Sequence, residues 1–209
     1  MPAADRLRTA YRYQVVTRVR RLGDTAGLRA TYAPRMDSAE YERKIAHRFA
    51  AFDQDGNGTI DRADFNAAAA RLLAEFGTTA RCDKGQALYT GAEAFWQGMA
   101  GIADVDGDQR VTHEEFVGGA VKRLRDNPER FAEIARPFLR AAIAVADSEN
   151  DGRASVAAVE RALRVLGAGE EVAGVAAQSL DADHDGRIAE SDVVGALAVY
   201  FTVIEPDAR

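Results

Sequence analysis

One twelve-residue stretch, Asp53 to Asp64 (DQDGNGTIDRAD), constrains this chain more than any other. Oxygen-bearing side chains stand at its first, third and fifth places: Asp53, Asp55 and Asn57. Gly58 follows at the sixth place, apolar Ile60 at the eighth and a carboxylate, Asp64, at the twelfth. A hard divalent cation such as Ca²⁺ takes roughly six to eight oxygens at about 2.3–2.6 Å. Twelve residues wrap such an ion when the sixth turns sharply at positive φ, which favours glycine. An acidic surface turn is the simpler alternative. Six agreeing template positions, and the recurrence of the spacing downstream, weigh against it.

The second copy is Asp104–Glu115 (DVDGDQRVTHEE), with Asp104, Asp106 and Asp108 at alternate places and Glu115 at the twelfth. Gln109 replaces glycine at its sixth place, at a steric cost of about 1 kcal/mol that a cation held by three Asp and one Glu can exceed. Gly107 beside it is a candidate to take up part of the turn. The third copy, residues 147–158, keeps Asp147, Glu149, Asp151 and Gly152 but ends on Ala158. Without a closing carboxylate it is expected to be structural, with weak or no ion binding. The fourth, residues 181–192, has Asp181, Asp183, Asp185, Gly186, Ile188 and Asp192 in register. The loops start at intervals of 51, 43 and 34 residues. These are four helix–loop–helix units, EF-hands, which pair through a short antiparallel contact at their eighth places.

The candidate ligands follow from the places. Side-chain oxygens come from Asp53, Asp55, Asn57 and Asp64; from Asp104, Asp106, Asp108 and Glu115; and from Asp181, Asp183, Asp185 and Asp192. Thr59, Arg110 and Arg187, at the seventh places, contribute backbone carbonyls, which leaves their side chains free to vary. Asp61 and Thr112, at the ninth, are placed to ligate through water. Glu115 can reach in a bidentate manner and favours Ca²⁺. Asp64 and Asp192 are one methylene shorter, so Mg²⁺ is an expected competitor at loops 53–64 and 181–192. His113 and His184 sit in non-ligand places, and His47 is read as surface or core packing.

Helical pattern surrounds the loops. Ser38 is a candidate cap for YERKIAHRFAAF, whose Ile45, Phe49 and Phe52 share a face. ADFNAAAARLLAEF buries Phe65, Leu72, Leu73 and Phe76, and Gly77 stops it. ALYTGAEAFWQGMAGIA is a helix in which Gly91, Gly98 and Gly101 mark candidate close packing. EEFVGGAVKRLR leaves the second loop. Asn127-Pro128 starts the next helix, PERFAEIARPFLRAAIAVA, which Pro137 is expected to kink or restart. EEVAGVAAQSL and VVGALAVYFTVIE flank the fourth loop.

Composition decides several exclusions. The single Cys82 forms no intrachain disulfide and no zinc cluster, so a reducing cytosol fits; an inert thiol is expected over a reactive one. No apolar run is long enough to span a membrane. Residues 1–35 carry eight Arg against two Asp, net +6, while the remainder is net −12. An acidic body is a poor nucleic-acid binder and a good cation binder. The basic extension has three readings: an arm for an anionic membrane or RNA, a poorly ordered leader, or sequence upstream of a start at Met36. We expect a poorly ordered extension over 1–35, a first pair of EF-hands over 36–126 and a second over 127–209.

FDQDGNGTIDRADF with the following AAARLLAEFG, PERFAEIARPFLRAAIAVAD, and LDADHDGRIAESDVVGAL resemble the calerythrin and sarcoplasmic calcium-binding protein family over about residues 36–209. The resemblance implies a compact all-α fold of two EF-hand pairs around a central core, and a cytosolic Ca²⁺ buffer or signal modulator in a bacterium. Family members vary in which loop is silent, and the third departs most here. The family begins near the first EF-hand helix, which favours Met36 as a start. About three functional sites are expected, in a monomer with no enzymatic activity, since no nucleophile–base pair stands outside the loops. A Ca²⁺ sensor with a protein target is the alternative. It could not use a Met-rich groove, because Met1, Met36 and Met99 are the only methionines.

Overall fold

The computed structural model describes residues 38–121 and 128–201. The readings of residues 1–35, of Asn127 and of the last few residues fall outside them. Eight α-helices and two small antiparallel strand pairs make up the described chain. Helix α1 (Ser38–Phe52) leads through the first loop and strand β1 (Thr59–Ile60) into α2 (Arg62–Glu75). Helix α3 (Asp83–Ala103) leads through β2 (Val111–Thr112) into a short turn α4 (His113–Glu115). A π-helix, Phe116–Val121, continues it. Helix α5 (Pro128–Ala146), β3 (Arg153–Ser155) and α6 (Val156–Val165) form the third unit. Helix α7 (Glu170–Leu180), β4 (Arg187–Ala189) and α8 (Glu190–Phe201) form the fourth.

The eighth places pair as expected. Ile60 lies opposite Val111, and Ala154 opposite Ile188. All four are 0 % exposed, so each ladder presents one face to the core. Because side chains alternate across a strand, the seventh-place residues on either side must face outward over the loops.

The first core is aromatic. Phe49, Phe65, Phe95, Trp96, Phe116 and Phe138 are buried in it with Ile45, Leu72, Leu88 and Met99. Phe65 and Phe95 meet edge to face at 5.0 Å between ring centroids, and Phe95 reaches Phe138 at 6.1 Å. Phe138 belongs to α5, so a helix of the third unit helps to close the core of the first two. The second cluster is built of small residues: Ala146, Ala154, Ala158 and Ala177 beside Ile143, Val159 and Ile188.

Expectations need correction at Pro137, which restarts no helix, and at the exit from the second loop. Helix α5 runs unbroken from Pro128 to Ala146 through Pro137. Close packing explains the tolerance: a Cβ on Gly91 of α3 would stand 2.8 Å from both the Pro137 carbonyl oxygen and the Phe138 Cα. An interface this tight offsets the hydrogen bond that proline removes, a loss of about 3 kcal/mol in an exposed helix. Gly98 packs likewise against Ile134, but Gly101 has nothing within 4 Å and marks no contact. The helix leaving the second loop is the other correction. It winds as a π-helix over Phe116–Val121, where Gly119 presses against the Ile102 carbonyl and Ala103. Elsewhere the terminators work as read: Gly77 takes φ +61, with Thr78 N–H donating to the Leu73 carbonyl at 2.9 Å.

Candidate metal centre

Each loop is wound around its first carboxylate. The sixth-place N–H donates to it in all four: Gly58 to Asp53 (3.0 Å), Gln109 to Asp104 (3.1 Å), Gly152 to Asp147 (2.8 Å) and Gly186 to Asp181 (3.1 Å). All four sixth-place residues have positive φ, between 64° and 87°. Gln109 therefore adopts the glycine conformation itself, at φ +64. Gly107 does not relieve it. That residue occupies the fourth place, where Gly56, Asn150 and His184 are left-handed too, so every loop turns twice. The template leaves this fourth-place requirement unstated, and Gly, Asn and His are residue types that tolerate it.

The carboxylates gather in three of the loops. Ligand oxygens of Asp53, Asp55 and Asp64 lie within 4.8 Å of one another. So do those of Asp104, Asp106 and Asp108, and of Asp181, Asp183 and Asp185. Glu115 and Asp192 stand outside these sets. Glu115 is instead held by the loop backbone, Oε1 accepting from Val105 N–H (3.0 Å) and Oε2 from Thr112 N–H (2.9 Å). Asp64 bridges its loop in the same manner, accepting from Gln54 (2.8 Å) and Asp61 (2.7 Å). Asp192 accepts from Ala189 N–H alone of these two backbone places. Asn57 turns its amide oxygen to Thr59 N–H at 2.8 Å.

Burial sets the two bridging carboxylates apart. Asp64 is 2 % exposed, and that burial pushes its carboxyl above the usual range against the pull of the Asp61, Gln54 and Asp55 N–H groups. Glu115 is held below its usual range by Thr112 N–H first and Val105 N–H second. Three of the four ninth places are helix caps. Asp61 accepts from Ala63 N–H (2.7 Å), Thr112 from Glu115 N–H (3.3 Å) and Ser155 from Ala158 N–H (3.2 Å).

A cation fits this donor set. Every grouped atom is a carboxylate oxygen, the chemistry hard divalent ions select. The fourth loop adds a direct sign: Asp181 is 9 % exposed and its Oδ1 is buried without a hydrogen-bond partner. An orphaned buried carboxylate oxygen is costly unless something positive meets it.

The third loop is built otherwise. Its twelfth residue, Ala158, is packed into the second core cluster with Ile143, Val159 and Ile188. Asp147 is buried, which alone would raise its carboxyl, but N–H groups of Gly152, Asn150, Glu149 and Asp151 hold it low. The other two carboxylates already have a cation. Arg187, from the fourth loop, places Nη1 2.8 Å from Glu149 and Nη2 2.6 Å from Asp151. In return Arg153, from the third loop, ion-pairs with Asp185. The seventh-place side chains are expected to be free to vary, yet that of Arg187 is engaged by two carboxylates of the third loop. The readable signal was arginine at the seventh place of both loops in one pair, once the eighth places are put opposite each other.

No histidine belongs to a carboxylate group among the described residues. His113 meets Phe49 edge-on at 5.2 Å, and His47 and His184 are exposed. Cys82 is exposed at the start of α3, where the Gly85 N–H lowers its thiol.

Comparison with known proteins agrees with this geometry. A family model described as EF hand matches residues 45–68. The solved structure of a calcium-binding protein from Streptomyces coelicolor is 63 % identical, covers 79 % of this chain and 100 % of its own, and superposes with a TM-score of 0.78. The chain belongs to the bacterial calerythrin-like family of EF-hand calcium-binding proteins. Calerythrin from Saccharopolyspora erythraea is 24 % identical over 163 residues, 78 % of this chain and 92 % of that protein. Calcium-loaded apo-aequorin from Aequorea victoria, at 17 % identity and TM-score 0.61 over 82 % of this chain and 95 % of its own, has the same fold. Within this calerythrin-like chain the third loop is the odd one.

Proposed function

We propose that this protein is a cytosolic Ca²⁺ buffer or signal modulator with three ion sites, in the first, second and fourth loops. The observation that carries it is the grouping of three carboxylates in each of those loops, with Asp181 Oδ1 unpaired in the last. Asp53, Asp55, Asn57, the Thr59 carbonyl and Asp64 hold the first ion. Asp104, Asp106, Asp108, the Arg110 carbonyl and Glu115 hold the second. Asp181, Asp183, Asp185, the Arg187 carbonyl and Asp192 hold the fourth-loop ion. Without an ion the clustered charges repel; with one, the repulsion becomes attraction and stiffens the loop between its helices. Aspartate at the twelfth place of the first and fourth loops admits Mg²⁺ more readily than Glu115 does. The chain acts as a monomer and not as an enzyme. Among the described residues no helix is long and apolar enough to cross a membrane.

A sensor role is the second reading. The Streptomyces coelicolor relative is described in terms of prokaryotic calcium-mediated regulation. Against it, Met99 is 0 % exposed, so no methionine among the described residues is available for a target groove. Fluorescence of a hydrophobic dye during Ca²⁺ titration separates the two. A buffer leaves the dye dark; a saturable rise that tracks loading would replace the buffer reading with the sensor.

A further inference from the structure

The second pair of loops contains two guanidinium groups that reach across the β3–β4 ladder. In that ladder Arg153 lies opposite Ala189, and Ser155 opposite Arg187. With Ala154 and Ile188 turned into the core between them, Arg153 and Arg187 are directed to the outer face, each over the other's loop. Arg187 is committed to the third loop: its side chain is only 19 % exposed, and besides Glu149 and Asp151 it donates to the Arg153 carbonyl at 3.1 Å. Arg153 holds Asp185, a carboxylate of the fourth-loop cluster, and Asp183 and Asp192 also attract it. The first pair has no such crossing. Thr59, at the equivalent place, is too short and bonds to Asn57 within its own loop at 2.7 Å. Arg110 pairs with no carboxylate of the first loop among the described residues.

We propose that Arg153 is the affinity-determining residue of the fourth loop, an internal cation that an incoming Ca²⁺ must displace from Asp185, while Arg187 permanently fills the charge role of a metal ion in the third. This rests on the fourth loop being an ion site. The guanidinium and the ion compete for one carboxylate. The fourth loop is therefore the weakest of the three sites and loads last. The ladder couples the exchange to the third loop, since Arg153 and Arg187 are joined through the Arg153 carbonyl. The third loop needs no ion, because two of its carboxylates already face a guanidinium that cannot deprotonate near neutrality.

Calorimetric Ca²⁺ titration of the full chain tests this with four variants. Asp181→Asn removes the fourth-loop event and so identifies it. Arg153→Gln tightens that event by about 1.5-fold to fivefold, the range for a largely exposed ion pair, and leaves the other two unchanged. Arg153→Lys, which keeps the charge, stays closer to the parent affinity. Arg164→Gln removes the same charge from the same half of the molecule, where Arg164 faces Glu160 and Glu170; it moves the event less than Arg153→Gln does. If Asp181→Asn removes an event but Arg153→Gln leaves its affinity unchanged or weaker, or if Arg164→Gln matches Arg153→Gln, this inference is overturned and the three-site reading stands. If Asp181→Asn removes nothing, the three-site reading fails and this inference with it.

Discussion

Two aspartates of the first loop are interchangeable in an ion-centred view and different in this structure. Asp55 is exposed and, among the described residues, accepts hydrogen bonds only from Asn57, at 3.0 Å from N and 2.9 Å from Nδ2. Asp64 is 2 % exposed and ties together the second and ninth places of the loop, Gln54 and Asp61, while opening helix α2. Replacing Asp64 by Ala leaves two part-buried N–H donors unpaired and breaks the reciprocal cap with Asp61. Each lost hydrogen bond to a charged group is worth about 1.5–3 kcal/mol. Water reaching the part-buried donors returns some of that, for a net loss of about 1.5–3 kcal/mol. A chain of this size loses roughly 2–4 °C of melting temperature per kcal/mol, so Asp64→Ala should melt about 3–12 °C lower even with chelator present. Asp55→Ala should fall within about 0.5 kcal/mol of the parent under chelator, yet lose the same ion event. Circular dichroism melts at 222 nm, in chelator and in excess Ca²⁺, read both effects. Equal, small shifts of the two variants in chelator would refute the claim that the twelfth-place carboxylate organises the loop before an ion arrives.

Other expectations follow from the same contacts. Gly91→Ala forces a Cβ to 2.8 Å from the backbone of α5 and should destabilise by about 1–3 kcal/mol; Gly101→Ala, with nothing within 4 Å, should be neutral or stabilise by up to about 1 kcal/mol, both checked by denaturant midpoint. Ser155→Ala removes the cap of α6 and should cost about 1 kcal/mol in the same assay while leaving Ca²⁺ stoichiometry unchanged. Acid should unload the first loop before the second, because Asp64 holds its proton more tightly than an ordinary Asp and Glu115 less tightly than an ordinary Glu. The linkage signs differ accordingly. In the ion-free protein the proton-linked part of the Asp64 contribution is present below the unfolded-state pKa and lost as pH rises through the raised folded value, which leaves the hydrogen bonds to its carboxylate. The Glu115 contribution is present above its unfolded pKa and lost as pH falls through the depressed folded one. Ca²⁺ titrations between about pH 4 and 7 that unload both loops together would contradict this.

Much of this architecture was legible because each loop place has one physical job. Positive φ at the sixth place, burial at the eighth and oxygens at the first, third and fifth leave few residue types admissible, so loop positions and pairing could be read directly. Gln109 was the hardest case, and it adopts the left-handed turn as required. What the pattern did not carry was anything set by a neighbouring element. Pro137 stays inside a helix because α3 packs its Gly91 there. The π-helix after Glu115 carries Gly119 against α3, a contact the local pattern does not contain. Ala158 looked like a lost ligand in sequence; in three dimensions it is a core residue. The crossing of Arg153 and Arg187 requires the register of β3 on β4, which a single loop does not contain.

We propose that ion capacity resides in three loops and that the third is closed by Arg187 and Ala158. Native mass spectrometry in Ca²⁺ tests it most directly, on the parent chain and on a variant with Asp53, Asp104 and Asp181 each changed to Ala. The parent should carry three ions and the variant none. A fourth ion on the parent, or one retained by the variant, would contradict it.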